Sequence, residues 1–439
     1  MKYREEIEAA HLAPDQLERL FRISRKENNE AVFKADIAFC HRAAPDNLLY
    51  AAWFHRLDAE PGETSAGPQR TNWRLALPLS LATGLILWLL SDDRLVYQAD
   101  QIPYLVHLGA PVLAVITAAF LNATAKKGYG RAVLTSAVLA AVLTYVMSLS
   151  PEKEDYRLLM APHLLLLSWT AVGFSVIGAG ATTRNKFAFL IKSIEAVVTG
   201  GVFLIATFIF SGITLTMFEA LDVDIADAVM RLLFVGLPGA IPILAIAIVY
   251  DPLASPMRQE FKRGIGRLII TFPRVLLVLT IVVFVVYLVV IMFNFMAPFE
   301  NRDVLIIYNV MLFAVMGLLL GATPVTAEDV SEQLQIGLRS AIIIVAALVV
   351  TVSLYALAAV VYRTIGYGLT INRMTVLGWN SINIALLALL IVRQLRRGRA
   401  EWVAALQQTF SDGISAYIVW AVFVTIVTPW LFERYWVRW

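Results

Sequence analysis

Apolar positions in this chain come in long unbroken blocks rather than in stripes. From about residue 73 onward, eleven runs are long enough to cross a bilayer, at about 1.5 Å of helical rise per residue over an apolar core of about 30 Å. They lie at 74–91, 103–122, 131–149, 158–179, 194–217, 229–250, 273–297, 304–322, 339–361, 374–392 and 414–432. Four segments that precede spans mix charge with apolar residues: "NKFAFLIKSI", "RQEFKRGIGRLI", "SEQLQIGLRSA" and "AEWVAALQQTF". Each reads as a short helix lying flat at the membrane interface.

The first 72 residues follow another pattern. Leu17, Leu20, Phe21 and Ile23, then Val32, Phe33, Ile37 and Phe39, recur near helical spacing. "APDQLERL" and "APDNLLYAAW" each set Pro-Asp at a helix start. Two or three short helices are expected, followed by the polar linker "AEPGETSAGPQRTN". The expected organisation is all-α. Residues 1–72 form a soluble helical module with its linker, and residues 73–439 form a polytopic transmembrane domain. The first thirty residues are charged and lack an apolar core, so they do not read as a cleavable signal.

Composition agrees with the pattern. The chain is 59% apolar and 16% charged, against roughly 45–50% and about 25% in soluble domains. A net charge of +3 is too small to point to nucleic acid, and the lone Cys40 permits no intrachain disulfide. Basic residues are unequally shared between the two sets of loops. Sixteen flank the ends that share the amino-terminal side and nine flank the opposite ends. The bias predicts a cytoplasmic amino terminus and an outside carboxy terminus. That reading requires the acidic segment "TAEDVSEQLQIGLR", in which Arg339 is the only basic residue, to be a true turn.

Signals for chemistry are sparse. The five histidines, His11, His41, His55, His107 and His163, lack metal-ligand spacing, and no phosphate loop, nucleophile elbow or zincin motif is present. No metal and no cofactor are expected. The polar residues placed inside spans are His163, Glu195, Asn294, Asn309 and Asn383, which either hold helices together or line a path. Lys192, one turn before Glu195, is its expected partner. "GLPGAIP" places Gly236, Pro238, Gly239 and Pro242 in the middle of span 6 and predicts a kinked or discontinuous helix. Such helices mark substrate sites in many transporters and packing kinks in other proteins.

"VVYRTIGYGLTINRM" lies between spans 9 and 10. Gly368 can close one helix in the left-handed conformation, and Thr370 can cap the next. Tyr362 and Tyr367 suit an interfacial belt. Arg363 and Arg373 either snorkel separately to headgroups or converge on one anion. Arg363, Tyr367, Gly368, Leu369, Thr370 and Arg373 also match a motif. On these residues the chain resembles the bacterial membrane-protein family catalogued as domain of unknown function 4153 (DUF4153), with its relative DUF4173. The resemblance implies a bacterial inner-membrane protein and no particular reaction.

Three functional readings follow. The first is a carrier or translocation-type protein for a small or lipidic solute, using the kinked span 6 and the Asn-bearing spans 7–10. The second is a scaffold or sensor that recruits a cytoplasmic protein partner through residues 1–72. The third is a membrane-embedded transferase holding an anionic lipid at Arg363 and Arg373, weakened by the lack of an evident general base. Membrane lipids are expected partners on any of the three, and nucleic acid on none.

Overall fold

The computed structural model describes residues 3–26, 29–58, 71–96, 102–126, 128–149, 154–259, 261, 265–327 and 330–432. The chain divides into two compact units, Met1–Gln69 and Arg70–Trp439.

The described residues of the first unit form four helices: α1 (Arg4–Ala9), α2 (Pro14–Lys26), α3 (Glu30–Ala43) and α4 (Leu48–Asp58). Its core is its own. Ile7, Leu17, Phe33, Ile37, Cys40 and Trp53 are all buried. Pro14 does open α2, as the first Pro-Asp signal predicts. The second signal works differently. Pro45 and Asp46 form a turn, and Asn47 caps α4 by accepting from Leu49 N and Tyr50 N at 2.9 and 3.2 Å. The predicted linker lies outside the described residues, except for Thr71 and Asn72.

Among its described residues the second unit has eleven long apolar helices, so the protein is an all-α polytopic membrane protein. They are α5 (Trp73–Leu90), α6 (Leu105–Ala125), α7 (Gly130–Ser148), α8 (Glu154–Ile177), α9 (Thr183–Glu219) and α10 (Asp227–Val249). Next come α11 (Ile265–Phe293), α12 (Arg302–Ala322), α13 (Glu332–Tyr367), α14 (Ile371–Arg397) and α15 (Trp402–Leu431). The chain crosses back and forth, so the ends near Asn72 define one face and the turn at Gly368 the other. α5 to α10 pack as one group and α11 to α15 as another, and α8 and α9 meet α15 between the groups. The largest core runs through the second group and takes in Phe187, Leu190 and Ile191 of α9.

The expected interfacial helices are corrected. Three of the four segments continue directly into spans, as the first turns of α9, α13 and α15. Residues 260 and 262–264 of the fourth lie outside the described residues. The reason is burial on several sides. Phe187 to Lys192 are buried without a break, and so are Trp402, Val403, Leu406 and Phe410. With 37 and 36 residues, α9 and α13 run roughly 55 Å, well beyond an apolar slab. The first turns of α13 are tied to α14 and α15. Trp402 Nε1 donates to Gln335 Oε1 at 3.2 Å, and Gln335 Nε2 donates to Ala327 O and Val330 O. Gln394 donates to Trp402 O at 2.8 Å and accepts from Arg339 at 3.2 Å. These bonds tie Ala327 and Val330 to the first turns of α13 and to α15.

Span 6 is not broken. α10 is helical from Asp227 to Val249, with a π turn at Leu232–Gly236 in place of an unwound segment. Pro238 cannot donate to the carbonyls behind it, and the wider turn makes room for its ring. Ser211 of α9 donates to the freed Leu233 carbonyl at 3.0 Å, the kind of side-chain substitution that tolerates proline inside a membrane helix. The same device recurs in α15, where the π turn Phe423–Val427 precedes Pro429 and Tyr156 donates to Thr425 O at 3.3 Å. The glycines of the motif serve packing. A Cβ at Gly84 of α5 would stand 2.5 Å from Gly236 O, and one at Gly239 would stand 2.9 Å from Leu87. Small residues thus let α5 and α10 approach closely, as helices must when lipid supplies no hydrophobic drive.

Candidate functional site

Local chemistry sets the turn between α13 and α14. Gly368 has φ +80° and ends α13, a conformation that costs little only without a side chain. Thr370 Oγ1 accepts from Arg373 N at 3.3 Å and caps α14. A turn this short sets the last turns of α13 beside the first turn of α14, so Arg363 and Arg373 come to line one pocket of about 330 Å³. Asn309, Thr370 and Asn372 supply its other polar groups, and Val360 and Val376 part of its apolar wall.

The two arginines are held differently. Arg373 Nη1 donates to Gly368 O, and its guanidinium lies 5.8 Å from the Tyr367 ring centre. Arg373 is thereby tied to the turn it follows. Arg363 Nη1 is buried and has no hydrogen-bond partner among the described residues. A buried guanidinium N–H left unpaired is costly, and a bound carboxylate or phosphate would remove that cost bidentately. Two neighbouring cations also repel, and a shared anion cancels the repulsion. Among the described residues the pocket is lined by no carboxylate, histidine or cysteine. Tyr367, 74% exposed, faces outward and takes no part in the lining.

Toward the helix middles, α14 carries a second polar cluster. Trp379 Nε1 donates to His163 Nε2 at 3.2 Å, and His163 Nδ1 lies 2.7 Å from Leu159 O. Indole only donates, so Nε2 accepts and the proton sits on Nδ1: this histidine is a neutral interhelical bridge. Tyr417 donates to Asn383 Oδ1, while the buried Asn383 Nδ2 has no partner among the described residues. Phe313, Trp379 and Tyr417 pack ring against ring and join α12, α14 and α15. Asn383 is ten residues below Arg373 on the same helix, about 15 Å, which puts the cluster near mid-span.

The remaining candidates separate. Glu195 pairs with Lys192 at 2.7 Å, as their spacing predicts, and both are buried within the first group of spans. Gly236, Pro238, Gly239 and Pro242 belong to that group too. Span 6 and the Asn-bearing spans therefore do not share one site. Asn294 is exposed beyond the end of α11, donates to Val290 O at 3.4 Å and does not line the arginine pocket. Sequence reasoning missed Asn372, Trp379 and Tyr417. The one signal available was the polar run "GWNSIN" inside an otherwise apolar span.

The chain matches no protein family, no characterised protein and no solved structure.

Proposed function

We propose that the chain is a bacterial inner-membrane carrier that binds a small or lipidic solute through an anionic group held by Arg363 and Arg373. One observation supports this reading above the others: a buried, unpartnered guanidinium N–H in a pocket that a second arginine also lines. The mid-span cluster at Trp379, Asn383 and Tyr417 offers the next polar contacts along α14. On this reading the chain stands with the family that its Arg363–Arg373 motif resembles. Among the described residues no carboxylate or histidine lines the pocket, so it supports the carrier reading more than the transferase one. The recruitment reading keeps one observation in its favour, the separate compact unit at 1–69.

The test titrates the purified protein in detergent with short-chain phosphatidylglycerol, with phosphatidylcholine as control, and reads thermal stabilisation. Wild type is expected to respond to the anionic lipid. Arg363→Gln or Arg373→Gln should each weaken the response roughly tenfold to hundredfold, since hydrogen bonds to charged groups contribute about 1.5–3 kcal/mol. The double variant should lose little more than either single. Carriage is read by bilayer flipping of a fluorescent phosphatidylglycerol in vesicles, which should slow in both variants. Small additive stability losses with an unchanged lipid response would reduce the arginines to separate anchors.

Orientation has its own test. In a Cys40→Ala background, an impermeant maleimide should label Leu221→Cys in intact cells and spare Arg399→Cys. The reverse pattern would invert the proposed topology.

A further inference from the structure

α14 begins at the pocket that the two arginines line. Thr370, Ile371, Asn372 and Arg373, the cap and first turn of this 27-residue helix, all belong to the wall. The first amides of any helix lack an intrahelical acceptor. Arg373 N is taken up by Thr370 Oγ1 at 3.3 Å and Met374 N by Thr370 O at 2.9 Å. The amides of Ile371 and Asn372 have no partner among the described residues. Unspent amides and the positive end of the helix dipole favour an anion, and phosphate is the one most often held this way. The buried, unpartnered Nη1 of Arg363 points independently to the same kind of ligand.

Charge decides which anion. Arg363 and Arg373 bring two positive charges, and neither has a carboxylate partner among the described residues. A carboxylate or a phosphodiester carries one negative charge and leaves one guanidinium unmatched. A phosphate monoester is close to doubly charged near neutral pH, since its second pKa is about 6, and it has three terminal oxygens. Three oxygens can serve two guanidinium forks and a backbone amide together, where a carboxylate has only two. Arg373 spends Nη1 on Gly368 O and keeps the rest of its fork for a ligand. The wall also bears on what carries the phosphate. Leu305, Ile306, Val360 and Val376 are apolar, and Ile306 is 49% exposed on a membrane-spanning helix. One turn deeper on the same face of α12, Val310 is 65% exposed. Charge at the Gly368 turn and an apolar edge leading inward match a lipid in the leaflet on that face.

We infer that the pocket selects a phosphate monoester over singly charged anions, and that the monoester is borne on a lipid whose chain leaves over Ile306 and Val310. The inference rests on the reading of Arg363 and Arg373 as an anion site and names the ligand class of that site. Selection comes from the pair. With one arginine removed, a single cation faces the ligand, and the advantage of the second negative charge disappears.

The experiment compares thermal stabilisation of the full-length protein in detergent by three ligands, at a pH of about 7.5 so that the monoester is mostly dianionic. They are dihexanoyl phosphatidic acid, dihexanoyl phosphatidylglycerol and glycerol 3-phosphate. Phosphatidic acid is expected to act at a concentration roughly tenfold below phosphatidylglycerol, the worth of one further charged contact. Glycerol 3-phosphate, which has the same head without chains, should act more weakly than phosphatidic acid. In Arg363→Gln the preference for monoester over diester should fall to about one. Arg363→Lys keeps the charge and loses the fork, so it should retain part of the preference. Phosphatidylglycerol as potent as phosphatidic acid, with both responses weakened in Arg363→Gln, would overturn the selection while the anion site stands. A monoester preference that survives in Arg363→Gln would overturn its assignment to the arginine pair. Glycerol 3-phosphate as potent as phosphatidic acid would overturn the lipid-borne source. No arginine-dependent response to any of the three would end the anion-site reading and this inference with it.

Discussion

Lys192→Met is expected to be among the most damaging single substitutions in the chain, lowering stability by about 3–5 kcal/mol. Lys192 is 3% exposed and its ammonium lies 2.7 Å from Glu195 Oε2. Methionine keeps most of the volume and removes the charge. Glu195 is then left buried without its cation, and an uncompensated buried charge is far worse than no charge. The ammonium also donates to Val249 O at 3.3 Å, one of the last carbonyls of α10, and sits 4.9 Å from the Phe261 ring centre. The orphaned carbonyl adds about 1–3 kcal/mol of its own. Glu195→Gln should cost less, because its amide still accepts from the lysine. The decisive variant is Lys192→Met with Glu195→Met, which removes both charges. It should recover much of the loss, leaving mainly the Val249 carbonyl unsatisfied. Thermal unfolding in detergent reads the series. A double variant as unstable as the sum of Lys192→Met and Glu195→Met made singly would mean that the pair is not coupled, and the ion-pair account would fail.

Some of this architecture is written plainly in the chain. Eleven spans could be read off because lipid imposes one demand, about twenty apolar residues with every backbone bond satisfied internally. The Arg363–Arg373 pocket was legible for a local reason. Gly368 and Thr370 announce a short closed turn, and a short turn brings its flanking residues together. The Lys192–Glu195 pair was legible from helical spacing. Helix length was not. Phe187 to Lys192 are buried on all sides because α9 meets α10, α11 and α15 there, and no single-face period encodes burial by several neighbours at once. The glutamine network was equally hidden, since Gln335 meets Trp402 and Gln407 meets Val325 across 67 and 82 residues. The prolines of span 6 announce an irregularity but leave open whether it is a kink or a break. What decided the form was Ser211, on another helix, which takes up the carbonyl that Pro238 releases.

Gly378→Val should rival the loss of Lys192, for a steric reason. In α14, a Cβ at this position would stand 1.8 Å from Trp420 Cζ2 and 2.2 Å from its Cε2. Contacts that short cannot be absorbed in place. The indole is rigid, and it stacks on Phe423 with centroids 5.0 Å apart, at the start of the π turn that precedes Pro429. Turning Trp420 aside therefore disturbs the part of α15 already weakened by proline. Moving α14 away instead separates Trp379 from Tyr417, whose rings lie 5.4 Å apart, and breaks the Tyr417–Asn383 hydrogen bond. Overpacking usually costs about 1–3 kcal/mol. Gly378→Ala should reach the top of that range, and Gly378→Val should exceed it. The same displacement would shift Arg373, five residues earlier on α14, so lipid response should fall with stability. Trp420→Ala isolates the cause. In that background the indole is gone, and Gly378→Ala should become nearly neutral, a coupling of about 2 kcal/mol or more. Equal penalties with and without Trp420 would show that glycine is needed at 378 for something other than the indole it supports.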